Sequence, residues 1–212
     1  MPQLTPTDQT RMVRGAKRAN YDTDTVHAII DAALICHVAQ ILPGQKPLVT
    51  PTAHWRDGSW LYWHGLASAR NVAATPAQPV CINICLVDGL VMARSAFHHS
   101  VNYRSVTLFG VPETITDPAE KEHQLERFLD RVSPGRWPQL RPITASELKA
   151  TGLVRLSITE ASAKVRNGPP VDDEADSDWP VWAGVMPLQR TWGNPEPDPA
   201  GLQPGVEPPL MG

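Results

Sequence analysis

The 212-residue sequence has only three cysteines, an odd number and too few to staple a fold, so free thiols in a reducing cytoplasm are expected. No apolar run approaches the roughly 18 residues of a helical membrane span, which leaves a membrane partner unexpected. The opening MPQLTPTDQTRMVRG has no apolar stretch of signal-peptide type, so secretion is not expected either. Charge of one sign is missing too. Lys and Arg number 19 against 22 Asp and Glu, a net charge of −3, whereas nucleic-acid-binding domains are strongly basic. Three motifs are absent: G-x-S-x-G, G-x-x-x-x-G-K-[ST] and G-x-G-x-x-G. With them go the usual signatures of a serine hydrolase, a P-loop and a Rossmann cofactor fold. No internal repeat is visible. At 42% hydrophobic, the chain can bury a real core as one domain or at most two small ones.

Proline, by contrast, is abundant at 22 residues, about twice the average share. Ten of these fall after Asn167, together with an acidic run from Asp172 to Asp178. Such a segment is neither helix nor central strand. It nevertheless carries Trp179, Trp182 and Trp192, and disordered tails are poor in aromatics. The expected organisation is therefore a barrel domain over 1–166, an ordered extended arm over 167–199 that packs on the barrel or on a partner, and a loose end over 200–212.

Strand signals dominate the first part. Apolar or alternating runs lie at 34–41, 48–56, 59–65, 80–87, 90–97, 104–115 and 153–166, with a turn at 43–47. Asp57-Gly58 and Asp88-Gly89 each read as hairpin turns, which makes the sheet antiparallel. Gly110 and Pro112 mark a bend or bulge. Helices are fewer. Asp24 caps a segment with Val26, Ile29, Ile30 and Ala33 on one stripe, and 68–76 is short and ends at Pro76. Residues 117–132 start with Asp117 and Pro118 and carry the stripe Leu125, Phe128, Leu129, Val132, while Thr144 and Glu147 form a capping box before 145–151. The class is mainly β with inserted helices (α+β), arranged as a barrel.

Two places could hold chemistry. In LYWHGLASARNVA (61–73) a strand gives way to a helix near Ser68. Ser68 and Arg70 there could meet a phosphate, or Ser68 could simply cap an ordinary turn. In SAFHHSVNYRSVTLFG (95–110) two histidines crowd with Asn102, Tyr103 and Arg104, as a site or as a polar turn. Cys81 and Cys85 share a strand face and read as core, and no ligand spacing suggests a metal. Cys36 and His37 point to opposite faces of their strand, so they form no dyad.

Five blocks taken together carry a resemblance: RMVRGAKRANYDTDTVHAIIDAALICHVAQI, LYWHGLASARNV, ARSAFHHSVNYRSVTLFG, ASAKVRNGPPVDDE and VWAGVMPLQRTWGNPEPDP. Over residues 11–199 they resemble the flavin-nucleotide-binding branch of the pyridoxamine 5′-phosphate oxidase superfamily, nearest to nitroimidazole-resistance-type proteins. The resemblance implies a split β-barrel, a homodimer and FMN at the subunit interface. It places Thr50, Pro51 and Thr52 on a strand edge beside the flavin ring. It puts Ser68 and Arg70 at the phosphate, and His64 near the reactive face. Tyr103, Arg104 and Ser105 fall close to the cofactor, and Lys164 and Trp182 on segments approaching it. Trp63, Trp182 or Phe97 could line the ring slot. His64 could protonate a small-molecule substrate, hydrogen-bond the flavin or substrate, or be an ordinary strand-end histidine. Two departures stand out. The basic R-x-V-L-L-K strand of true pyridoxamine phosphate oxidases is replaced by LVTPTA, and their Arg-rich C-terminal motif is missing, so that oxidation is not expected. The resemblance points to an FMN-dependent oxidoreductase reducing a nitro or quinone-like acceptor. A flavin- or haem-binding carrier or sensor, and a cofactor-free interaction module built on the Trp-rich arm, stand as alternatives.

Overall fold

The computed structural model describes residues 2–73 and 78–211. In chain order the elements are β1 (Ala19–Asn20), α1 (Thr23–Ala32), β2 (Ile35–Leu42), β3 (Lys46–Asp57), β4 (Trp60–Leu66), α2 (Arg70–Ala73) and β5 (Val80–Met92). Then come β6 (Ser100–Gly110), β7 (Glu113–Ile115), α3 (Pro118–Val132), α4 (Ala145–Ala150), β8 (Thr151–Ser157), β9 (Ala161–Arg166) and β10 (Gly184–Pro187). The strands form one antiparallel sheet in the order β1-β9-β6-β5-β2-β3-β4-β8-β7, with β10 added to β5. The end strands β1 and β7 do not pair with each other, so the barrel is split rather than closed.

Alternation along the strands sends one set of side chains inward. Cys36 and Val38 of β2, Leu61 and Trp63 of β4, Ile82, Ile84 and Leu86 of β5, and Val106 and Leu108 of β6 make the main core. Helix α1 adds Val26, Ile29 and Ile30 to it, and Ala33 joins just past the helix end. A smaller cluster of Trp55, Tyr62, Ile115 and Leu153 lies on the opposite face of β3, β4 and β8, with Phe128 of α3 packed against it. Gln124 is the buried residue of α3, and Trp55 Nε1 donates to its Oε1 at 2.9 Å. The stripe Leu125, Phe128, Leu129, Val132 is only half-covered, with α3 resting on the surface of the sheet.

Several local expectations are met. Asp57 pairs with Trp60 across the β3–β4 turn, whose Gly58 has φ 57°. Asp117 caps α3 by accepting from Glu120 N, and Thr144 and Glu147 close their capping box. Others are corrected. The cap of α1 is Asp22, accepting from Thr25 N, two residues ahead of the expected Asp24. Asp88-Gly89 makes no hairpin. β5 runs straight through it with a bulge and keeps pairing with β6, as Gly89 with Asn102 and Leu90 with Val101. Gly89 serves close approach instead, since a Cβ there would lie 2.7 Å from the Met186 carbonyl oxygen of β10. The strand expected at 90–97 is thus the end of β5 followed by a turn, and the one expected at 153–166 is the β8–β9 hairpin. Of the expected 68–76 helix, Arg70–Ala73 is helical, and its last expected residues, 74–76, lie outside the described ones.

Candidate functional site

β3 pairs with β2 along residues 46–53 but with β4 only along 54–57. β4 then leaves to follow β8. Among the described residues nothing pairs with the other edge of 46–53, so backbone N–H and C=O groups around Thr50, Pro51 and Thr52 stand open. Across this split Thr52 Oγ1 donates to the His64 carbonyl at 3.4 Å, a long bond that marks how far the strands have parted. Beyond His64 the chain turns through Ser68, which is exposed, to Arg70, which is also exposed and makes no ion pair among the described residues. The turn is set by Gly152 on β8, where a Cβ would meet Val72 Cγ1 at 2.2 Å, so only glycine lets the turn sit this close. It is tied to β2 by Gln40, whose Nε2 donates to the Arg70 carbonyl at 3.0 Å. The sheet topology thus brings Thr50, Pro51, Thr52, His64, Ser68 and Arg70 to one end of the split. The cationic chemistry of the turn rests on the exposed Arg70 guanidinium.

The His64 ring lies on the α3 face of the sheet, 5.0 Å from the Phe128 ring and 5.7 Å from Trp55, centroid to centroid. Its Nδ1 is buried with no hydrogen-bond partner among the described residues. Burial lowers its pKa, so the imidazole is neutral at pH 7. That suits a metal ligand or hydrogen-bonding group and leaves little imidazolium for general-acid work.

The remaining expected residues lie elsewhere on the chain. Tyr103, Arg104 and Ser105 are on β6, and Lys164 pairs with Ser105 on β9. β6 is three strand spacings from β3, about 14 Å. Ser105 Oγ donates to the Lys164 carbonyl at 3.4 Å, and Arg104 is held by both oxygens of Asp88, at 2.8 and 2.9 Å. Trp182 is 64% exposed on the arm, stacked over Gly184. The arm is anchored by Asp172, which accepts from Arg94 N at 2.9 Å and Arg94 Nη1 at 3.0 Å, and by β10. Trp63 is core and donates to the Asn71 carbonyl, so it cannot line a ring slot, and Phe97 is exposed. Cys81 and Cys85 are also corrected: they face outward from β5, half-buried and exposed, while buried Cys36 has its thiol pushed up to about 12. Sequence reasoning passed over Gln40, whose only signal was a lone amide in the apolar run LICHVAQI. Among the described residues no three His, Cys, Asp or Glu side chains gather to hold a metal, and no helix is long and apolar enough to cross a membrane.

Comparison with known proteins adds the lineage. No curated protein sequence matches the chain. Flavocytochrome Anf3 from Azotobacter vinelandii superposes with a TM-score of 0.91 at 46% identity, covering 98% of this chain and 96% of that one. An FAD and haem binding protein from Mycobacterium smegmatis gives 0.84 at 32%, covering 90% and 94%. A Bacteroides thetaiotaomicron protein with a proposed role in 5-nitroimidazole antibiotic resistance gives 0.58 at 20%, covering 69% and 86%, and shares the fold. The pyridoxamine 5′-phosphate oxidase family model matches residues 22–165, and the chain belongs to that family.

Proposed function

We propose that this protein is a flavin- and haem-binding oxidoreductase that works as a homodimer and passes electrons to a small acceptor, nitro or quinone-like. The observation that carries the reading is the split between β3 and β4. It sets an open backbone edge at Thr50–Thr52 opposite His64 and the free guanidinium of Arg70. A flavin ring needs such an edge for its polar atoms, and a nucleotide phosphate needs a cation like Arg70. The two relatives named for flavin, haem or both, at 46% and 32% identity, support the same cofactors here. Bound flavin and haem would supply one- and two-electron transfer.

The reading of haem rests on the two relatives named for a cytochrome or for haem, since the uncommitted Nδ1 of His64 is buried beside Trp55 and Phe128 and faces no open space. The fit to a dimer rests on separation. Tyr103, Ser105 and Lys164 lie three or more strands from Thr50 in the sheet, and a two-fold axis would bring one protomer's group close to the other's. Exposed Ile35, Val49 and Val87 give the pairing apolar surface.

The test is a visible spectrum of the protein as purified, followed by anaerobic addition of a nicotinamide nucleotide. Flavin bands and a Soret band, both bleached or shifted on reduction and restored by a nitroaromatic or quinone, are expected, with light scattering at the dimer mass. A colourless protein that takes up neither flavin nor haemin on reconstitution overturns the reading.

A further inference from the structure

Strand β1 and the turn before it carry a block of positive charge. From Gln9 to Tyr21 the sequence has Arg11, Arg14, Lys17 and Arg18 and no acidic residue. From Ala161 to Val171 it has Lys164 and Arg166 and again no acid. Folding brings the two stretches together. Ala19, next to Arg18, pairs with Lys164 across β1 and β9. Gly15, at φ 73°, turns the chain onto the Lys164 side chain, whose Cε and Nζ lie 3.7 and 3.8 Å from where a Gly15 Cβ would stand. Arg166 is committed inside the fold, donating to Asn102 Oδ1 and to the Gly168 carbonyl. The other five make no ion pair and no side-chain hydrogen bond among the described residues. The acidic run Asp172 to Asp178 does not supply the missing counter-charge, since its ion-paired members go to Arg94 and His98.

Like charges gathered this way make a locally positive field on a chain whose net charge is −3. Arg11, Arg14, Lys17 and Arg18 are exposed, and no partner holds them in a converging geometry. A free phosphate needs donors that converge on it, whereas spread, solvated cations steer a large anionic surface and hold it loosely. Val13, 90% exposed in their midst, adds an apolar contact. Nucleic acid is disfavoured by the net charge and by the acidic run on the same chain. Electron-transfer partners meet over small, weak interfaces of the remaining kind. Lys164 pairs with Ser105 on β6, in the group that the proposed dimer brings toward the other protomer's flavin, so in that dimer the patch borders the redox site. We propose that this face docks an acidic protein carrying a one-electron redox centre, and that this protein is the electron donor. The inference rests on the flavin and haem reading above. Each docking oxidises the carrier by one electron, which passes to the bound cofactors, and two dockings with two protons from water reduce the flavin fully.

The test is anaerobic stopped-flow reduction of the cofactor-loaded full chain, with reduced plant-type ferredoxin as the acidic carrier and reduced methyl viologen as a small donor. Arg14→Glu/Lys17→Glu reverses two exposed charges of the patch, and Lys46→Glu/Lys149→Glu reverses two exposed charges elsewhere. In wild type the ferredoxin rate constant should fall steeply as salt rises. Arg14→Glu/Lys17→Glu should lower it about 10-fold or more at low salt, within the range of electrostatic steering. The two proteins should converge at about 1 M salt, where charges are screened beyond about 3 Å. The Lys46→Glu/Lys149→Glu protein should stay near wild type, and methyl viologen should reduce all three alike. A ferredoxin rate insensitive to salt, or one lowered equally by both pairs, overturns the assignment. Light scattering that shows Arg14→Glu/Lys17→Glu monomeric where wild type is dimeric would give the patch to the subunit contact and overturn it. Tight binding of poly(U) RNA that the same variant loses would give the patch to nucleic acid and overturn it too. If methyl viologen finds neither flavin nor haem to reduce, the parent reading fails and this one falls with it.

Discussion

His54 makes the stability of this fold pH-dependent in a calculable way. The residue is 1% exposed between β3 and the end of α1, and its Nε2 lies 3.0 Å from the Ile30 carbonyl. A carbonyl accepts only, so Nε2 carries the proton and Nδ1 is bare. Nδ1 is buried with no partner among the described residues, and the Arg131 guanidinium bonds the His54, Ile30, Asp31 and Ala33 carbonyls close by. A second proton would therefore be desolvated beside a cation. Burial lowers the pKa from 6.5 to about 4; the Ile30 carbonyl and Asp31 oppose the shift, and Arg131 reinforces it. The unfolded chain takes up the proton first as pH falls. Stability is complete above pH 6.5 and is lost progressively down to about pH 4. At 1.36 kcal/mol per pH unit the full loss from this gap is about 3 kcal/mol, of which about 2 falls between pH 7 and pH 4.5. For a chain of this size that is about 4–8 °C in Tm. His54→Gln keeps an N–H for the Ile30 carbonyl and cannot titrate here. Urea unfolding of both proteins at pH 7 and pH 4.5 isolates the residue, because the other groups titrate in both. The variant should lose about 2 kcal/mol less than wild type over this interval. Equal losses would show that His54 is protonated in the folded state as easily as in the unfolded one, and would refute the argument.

Other perturbations probe the candidate site. Arg70→Ala should weaken a flavin mononucleotide by about 10- to 150-fold, the effect of one charge-assisted contact, and riboflavin much less; equal weakening in fluorescence titrations would make Arg70 a structural residue. Gly152→Ala forces a methyl group to within 2.2 Å of Val72 Cγ1, so it should cost about 1–3 kcal/mol in denaturant unfolding and weaken flavin by displacing the Arg70 turn. Asp172→Ala removes both Arg94 contacts, and limited proteolysis should cut the arm between Arg166 and Gly184 faster while the barrel stays intact. Unchanged cleavage would assign the anchoring to β10 alone.

The local signals that survive folding are those whose partners lie within a few residues. Asp117 and Thr144 cap helices, Asp57-Gly58 turns a hairpin, and the β-rich pattern sets the class, all from neighbours in sequence. The five blocks fixed the family in the same way, because motif order is itself a sequence property. What tertiary structure decided depends on groups far apart in the chain. Asp88-Gly89 carries a strong turn signal, yet β6 on one side and β10 on the other supply enough ladder to hold the strand straight through it. Whether His64 faces the main core or α3 depends on strand parity and on a helix more than fifty residues later. Gln40 looked like one polar residue in an apolar strand. Only the approach of the Arg70 carbonyl, thirty residues on, commits its nitrogen and leaves its oxygen buried with no donor among the described residues. Caps and turns are written locally because their hydrogen bonds close within four residues, whereas the site is assembled by strand divergence and close packing, which no short stretch of sequence encodes.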